Sequence, residues 1–179
     1  MSWIKTDEKE IWSGYRKLIR KYFTKPDGSA ANFEIAREGE VVCVLAMTAD
    51  KKVIVTQEFR PGPEKDLYEL PGGFIDHDEK PEVAAKRELM EETGYTGEFI
   101  FVGTNFTDAY TEMVRYNFVA LNCTKVREQQ LGKHEHIQVM EMSLITFRNF
   151  LRSGQSTDIT TGYLGLDYLG LLANDSTSA

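Results

Sequence analysis

The spacing of apolar positions changes several times along the chain, and each change marks an element. Residues 41–47, Val-Val-Cys-Val-Leu-Ala-Met, form an unbroken apolar run, which predicts a central strand buried on both faces. Thr48 to Lys51 reads as a turn, and 52–58 as the returning strand. Pro61 and Pro63 then take the chain out of the sheet, because proline has no N–H to give a ladder. A short strand over 67–70 follows, and two further strands over 98–106 and 113–122 flank a loop at Asp108-Ala109-Tyr110. Alternation over 137–142 predicts one more strand. Ser143 is placed to cap a helix with Leu144, Phe147, Phe150 and Leu151 on one side and Gly154 at its end. A last helix is expected over about 159–173, with Gly162, Gly165 and Gly170 weakening its regularity.

Before the apolar run, 15–24 and 32–37 read as a hairpin around Pro26-Asp27-Gly28. Its Arg16, Lys17, Arg20 and Lys21 suit an edge or an exposed ribbon. Residues 1–10 are polar and read as an arm. The division expected is a strand and hairpin arm over 1–38, one domain over 39–173, and a polar tail over 174–179. Strands surrounding two or three helices place the chain in the α/β class, as a mixed sheet between helices.

The most informative segment is 73–95. Pro81 stands at a first helical position, Asp78, Glu79 and Glu82 crowd the front, and Gly94 stands where the helix should stop. Stepped at 100° per residue, Arg87, Glu91, Glu88 and Glu92 fall across one side, with Ala85 and Leu89 beyond Glu92 and Val83 and Met90 beyond Arg87. A solvated, salt-bridged face is one reading. Glu88 and Glu92 are, however, a like-charge i,i+4 pair with Glu91 between them, and each such pair is unfavourable by a few tenths of a kcal/mol. Hard oxygen ligands in this number suit Mg²⁺ or Mn²⁺, with substrate phosphates completing the shell. Gly72 and Gly73, leading into the helix, let backbone approach an ion or a phosphate closely.

These residues carry a signature. Gly73, Glu79, Arg87, Glu88, Leu89, Glu91, Glu92, Gly94 and Tyr95 meet every fixed position of the Nudix box, so the chain resembles the Nudix hydrolases, in the branch that includes ADP-ribose pyrophosphatases and nucleoside diphosphate sugar hydrolases. The resemblance implies an α/β/α sandwich and hydrolysis of a nucleoside diphosphate joined to another group. It implies metal ligation by Glu88, Glu91, Glu92 and the Gly72 carbonyl, with Mg²⁺ as the ion and Mn²⁺ as a substitute. Glu79 and Arg87 read as a salt bridge that pins loop to helix, which gives Arg87 a place in the catalytic set beside Glu91. In this branch a glutamate on a later loop takes the proton of the attacking water, and Glu135 is the match, the alternative being a box glutamate. His134 and His136 beside it read as surface histidines ahead of a metal or general-base role. Arg60 matches an arginine that forks onto phosphate. Glu69, one step before the box, is placed to read a ribose hydroxyl. Arg37 belongs to a segment that in exchanged dimers reaches the partner's site, and Glu112 lies in the loop expected to shape specificity. Tyr15, Tyr22 and Phe33 could stack a base, although aromatic residues in strands are usually core.

The loop 107–112 lacks the proline and glycine that ADP-ribose hydrolases carry in that region. That leaves nucleoside diphosphate sugars broadly: ADP-ribose, ADP-glucose or GDP-mannose. A house-cleaning hydrolase of nucleoside triphosphates or dinucleoside polyphosphates, and a sensor without turnover, are the competing readings. The intact box and the lack of a helix-turn-helix extension argue against the sensor. The resemblance also implies a homodimer through the N-terminal ribbon.

Composition narrows partners and compartment. The net charge of −7 with no basic patch argues against nucleic-acid polymers as partners. No apolar run approaches the ~18 residues that a membrane helix needs. The N-terminal residues lack the basic stretch and apolar core of a secretory signal. Cys43 and Cys123, isolated in apolar segments, read as buried thiols. A cytoplasmic location is the expectation.

Overall fold

The computed structural model describes residues 2–133 and 136–172. Its first sheet is an antiparallel meander of β1 (Ile4–Ser13), β2 (Lys17–Thr24) and β3 (Ala30–Arg37). The polar arm expected over the first ten residues is therefore mostly strand. Its backbone ladder with β2, running from Ile4–Thr24 to Ser13–Lys17, is what makes it one. Glu8 lies opposite Lys21, whereas Lys9 opposite Arg20 sets two cations face to face and Glu10 faces Ile19. An opposite-charge cross-strand pair contributes a few tenths of a kcal/mol to about 1 kcal/mol, and a like-charge pair opposes it. The β2–β3 hairpin turns at Pro26-Asp27-Gly28 as predicted. Gly28 takes φ +83°, and the Asp27 carboxylate accepts from the Ser29 N–H at 2.9 Å. This sheet belongs to a compact unit of residues up to Glu40 together with Asn105–Arg115. The return of the second segment into that unit has no local signal in the sequence.

The larger unit comprises Val41–Thr104 and the chain from Tyr116 onward. It is built on β4 (Val41–Thr48) and β5 (Lys52–Arg60), which pair at Ala46–Ile54 and Met47–Val53 and then part. Two short strands take up the freed edges: β6 (Lys65–Glu69) pairs with β5, and β7 (Gly72–Phe74) pairs with β4. With β8 (Tyr95–Phe106), β9 (Val114–Lys125) and β10 (Gln138–Ser143) they make one seven-stranded sheet of order β10-β5-β4-β9-β8, β6 and β7 lying off that path.

Helices cover both faces of this sheet, because β4 is apolar on both. Val42, Val44 and Ala46 pack against Ala84, Ala85 and Leu89 of α1 (Pro81–Thr93). Cys43, Leu45 and Met47 pack against Phe147 and Leu151 of α2 (Leu144–Arg152) and Leu166 of α3 (Ile159–Tyr168). Each such large side chain, fully buried, contributes roughly 1.5–3 kcal/mol. The expected α/β fold with a sheet between helices is the fold observed. Val83, expected on an apolar flank of α1, is instead exposed.

The last helix ends earlier than expected, at Tyr168, and Gly170 follows at φ +65°. The glycines inside it serve close packing. A Cβ on Gly165 would lie 2.4 Å from Leu45 Cδ2, so only glycine lets α3 sit this near the sheet. Cys43 and Cys123 are both buried reduced thiols, and burial pushes the Cys123 thiol up to about 11. No helix among the described residues is long and apolar enough to cross a membrane.

Candidate active site

The site begins with how α1 is fixed. Lys80 is extended, Pro81 opens the first turn, and Gly94 closes the helix in the left-handed region at φ +77°, its N–H reaching the Met90 carbonyl at 2.9 Å. Ala84, Ala85, Leu89 and Thr93 face inward, so Arg87, Glu88, Glu91 and Glu92 are left on the partly exposed side.

Arg87 organises the loop before the helix. Its Nε donates to Glu79 Oε1 at 3.0 Å, and its Nη2 donates to Glu79 Oε2 and to the Phe74 carbonyl, both at 2.9 Å. Its Nη1 donates to Glu88 Oε1 at 2.7 Å and Glu91 Oε2 at 3.2 Å. The hydrogen bond from Arg87 holds the Glu79 carboxyl below the usual carboxylate range, and the same bonds push the Arg87 guanidinium up. The salt bridge between loop and helix read from the sequence is therefore present.

Glu88 and Glu92, one helical turn apart, both meet the glycine pair. Glu92 Oε2 accepts the Gly72 N–H at 3.0 Å. The Glu88 carboxylate fills the space beside Gly73, where a Cβ would lie 2.6 Å from its Oε1. Gly72 is equally constrained, since a Cβ there would lie 2.3 Å from the Val42 carbonyl oxygen. Among the described residues no group of three His, Cys, Asp or Glu side chains is gathered as a ready cluster. Glu88 and Glu91 both accept from Arg87 Nη1. The hard-donor set here is the Glu88 and Glu92 carboxylates beside the Gly72–Gly73 backbone. It fits a hard divalent cation whose remaining positions are taken by phosphate oxygens and water.

Beside this loop, Arg60 at the end of β5 donates its Nε to Glu69 Oε2 at 2.6 Å, and its Nη1 lies 3.0 Å from Glu58 Oε2. Burial works against the Arg60 charge, but the attraction of Glu69, Glu58 and Glu92 outweighs it and raises its pKa. Glu69 is itself buried, and its Oε1 accepts the Thr157 hydroxyl at 2.6 Å.

Arg37 and Glu112 belong to the smaller unit, where Arg37 forks onto Glu112 at 2.6 and 3.1 Å. Lys21 reaches Glu112 at 2.5 Å and Glu8 accepts from Arg37 at 2.9 Å. The Arg37 hydrogen bond and then Lys21 push the Glu112 carboxyl down to about 2. Phe33, one of the candidate stacking residues, sits with Trp3, Phe23 and Tyr110 around an apolar cavity of about 330 Å³. Tyr15 is almost fully exposed. His134 and Glu135 lie outside the described residues, and His136 is exposed. Sequence reasoning missed Thr157 and Asp158. Their only local signal is a hydroxyl and a carboxylate ahead of a helix, which reads as ordinary capping.

Residues 37–156 match the model of the NUDIX domain. The chain belongs to the Nudix family. Nudix hydrolases depend in general on a divalent metal, and the Glu88–Glu92 set fits that requirement. The chain is 34% identical over 170 residues to an ADP-ribose pyrophosphatase of Bacillus subtilis, covering 92% of this chain and 90% of the relative. It is 30% identical over 152 residues to a GDP-mannose pyrophosphatase of Cronobacter sakazakii, covering 77% and 78%. Among solved structures, an ADP compounds hydrolase matches with a TM-score of 0.82 at 18% identity, covering 95% of each chain, which supports the Nudix fold.

Proposed function

We propose that this Nudix protein hydrolyses the pyrophosphate of nucleoside diphosphate sugars of the ADP-ribose, ADP-glucose or GDP-mannose type. The observation that carries the reading is the meeting of Glu88 and Glu92 on the Gly72–Gly73 backbone. The names of the two relatives support the substrate class. Mg²⁺ is the ion of choice, with Mn²⁺ as a substitute, held by Glu88, Glu92 and the Gly72 carbonyl, with Glu91 assisting. When bound, it withdraws charge from the phosphate oxygens and neutralises what develops on them.

The chain's own groups do the rest. Arg60, its plane fixed by Glu69 and Glu58, offers its remaining N–H groups to a phosphate. Glu69 also stands where a ribose hydroxyl would be read. Arg87 holds Glu79 and steadies Glu88 and Glu91, which ties the loop to the helix. Water attacks one phosphorus, the bond from that phosphorus to the bridging oxygen breaks, and the products are a nucleoside monophosphate and a sugar phosphate. Glu135 takes the proton of the attacking water. Residues 39–173 carry the chemistry. The arm over 1–38, with Arg37 and the Glu112 loop, contributes to substrate binding in a homodimer, and the protein works in the cytoplasm.

The test is product identification by mass spectrometry across ADP-ribose, ADP-glucose, GDP-mannose, UDP-glucose, diadenosine polyphosphates and nucleoside triphosphates, with Mg²⁺ and with chelator. Nucleoside monophosphate plus sugar phosphate is expected. Chelator should abolish it, and Glu92→Gln should lower turnover by about 100-fold or more. Turnover confined to triphosphates or dinucleoside polyphosphates would overturn the substrate class.

A further inference from the structure

We propose that Thr157, at the entrance to α3, is a positioning residue for Arg60, acting through the buried carboxylate of Glu69, and that Asp158 anchors the same strap. The inference rests on the hydrolase reading and adds to it a control element contributed by a segment 88 residues away from Glu69 in sequence.

Asp158 occupies the N-cap position of α3, where an aspartate ordinarily accepts from its own helix. Its side chain makes no such bond. Instead, Oδ2 accepts the Leu70 N–H at 3.0 Å, and the residue is 7% exposed. Removing a carboxylate from water is unfavourable unless it is well bonded, so this placement is a strong local constraint. Its neighbour Thr157 donates to Glu69 Oε1 at 2.6 Å. Two consecutive residues thus clasp two consecutive residues. The next two are tied as well: the Pro71 carbonyl accepts from Val44 N–H at 2.9 Å, and the Gly72 N–H donates to Glu92. From Glu69 to Gly72 every residue is tied to another segment of the larger unit.

The consequence reaches Arg60 through Glu69. The two Glu69 oxygens have different partners, Thr157 on Oε1 and Arg60 on Oε2. Without the Thr157 hydroxyl, Oε1 is left under-satisfied in a buried setting. The carboxylate then rotates to share Arg60 between both oxygens, which turns the guanidinium away from its present plane. An arginine so turned meets a phosphate with the wrong edge. The loss falls on ground state and transition state alike, and therefore on KM rather than on kcat.

The test uses ADP-ribose hydrolysis at saturating Mg²⁺, and calorimetric binding of its non-hydrolysable α,β-methylene analogue. The proteins are the unaltered chain, Thr157→Val, Thr157→Ser, Arg60→Ala, and Thr157→Val combined with Arg60→Ala. Thr157→Val should raise KM and the analogue's Kd about tenfold and leave kcat within about twofold. Thr157→Ser should restore both constants. In the Arg60→Ala background Thr157→Val should add nothing, since the two act on one contact. An equal rise in that background, an unchanged Kd, or a loss that Thr157→Ser does not restore would overturn the inference. If the unaltered chain binds the analogue but does not turn over ADP-ribose, the hydrolase reading alone fails, and the Kd cycle still decides the role of Thr157. If it binds neither, both fall.

Discussion

Arg87 grips Glu79 with two parallel donors, Nε to Oε1 at 3.0 Å and Nη2 to Oε2 at 2.9 Å, eight residues apart across the loop-to-helix junction. The same guanidinium also bonds Glu88 and Glu91. It is the local cation for three carboxylates. Arg87→Ala leaves them facing one another across a partly buried loop. The expected loss is about 1–3 kcal/mol of stability. Mg²⁺ should recover more of the unfolding temperature in this variant than in the parent, because the ion then has no competing cation. Thermal unfolding with Mg²⁺ and with chelator measures both, and an unchanged unfolding temperature for Arg87→Ala would contradict the assignment.

The two glycines before α1 are predicted to fail in different ways. A Cβ on Gly73 meets the end of the Glu88 side chain, which can swing aside. Gly73→Ala should therefore fold with an unfolding temperature within about 3 °C of the parent. Its Mg²⁺ requirement for half-maximal turnover should rise about tenfold, because the group displaced is a proposed ligand. A Cβ on Gly72 meets the Val42 carbonyl oxygen, which belongs to the paired strand and cannot move alone. Gly72→Ala should lose about 2 kcal/mol or more of stability. Equal behaviour of the two variants in unfolding and in metal titration would refute this distinction.

Glu112 supplies a pH dependence with a definite sign. Its carboxyl lies at about 2 in the folded chain against an ordinary value of 4.5, through Arg37 and Lys21. A depressed folded value means that the folded state holds the proton less readily than the unfolded one. The stabilisation is fully present above pH 4.5 and is lost as pH falls toward about 2. The unfolding midpoints of the parent and of Glu112→Gln in urea should differ at pH 7 and converge through that window. A gap that stays constant down to pH 2.5 would count against the ion-pair network.

Much of the site could be read before any fold was known, because its rules are local. The bounds of α1 follow from Pro81 and Gly94, and the glutamate face follows from residue spacing. The apolar run on both faces of β4 predicts layers above and below the sheet, and α1 lies on one side with α2 and α3 on the other. Where the reading failed, a distant partner decided the outcome. The stretch from Ile4 to Ser13 is too charged to announce a strand, and it becomes one because β2 offers it a backbone ladder from Ile4–Thr24 to Ser13–Lys17. Gly165 resembles a helix breaker until Leu45 is seen against it.

By itself the sequence determined the helix that carries the Nudix box, the layered α/β class and the Nudix signature, since capping, periodicity and fixed spacing act over a few residues. Tertiary structure alone decided which partners the charged side chains take. Glu69 bonds Thr157, Leu70 bonds Asp158, and Arg37 closes on Glu112. Each of these pairs joins residues 75 or 88 positions apart. No local preference encodes such a contact; it exists only once packing has brought two surfaces together and removed the water that would otherwise have satisfied them.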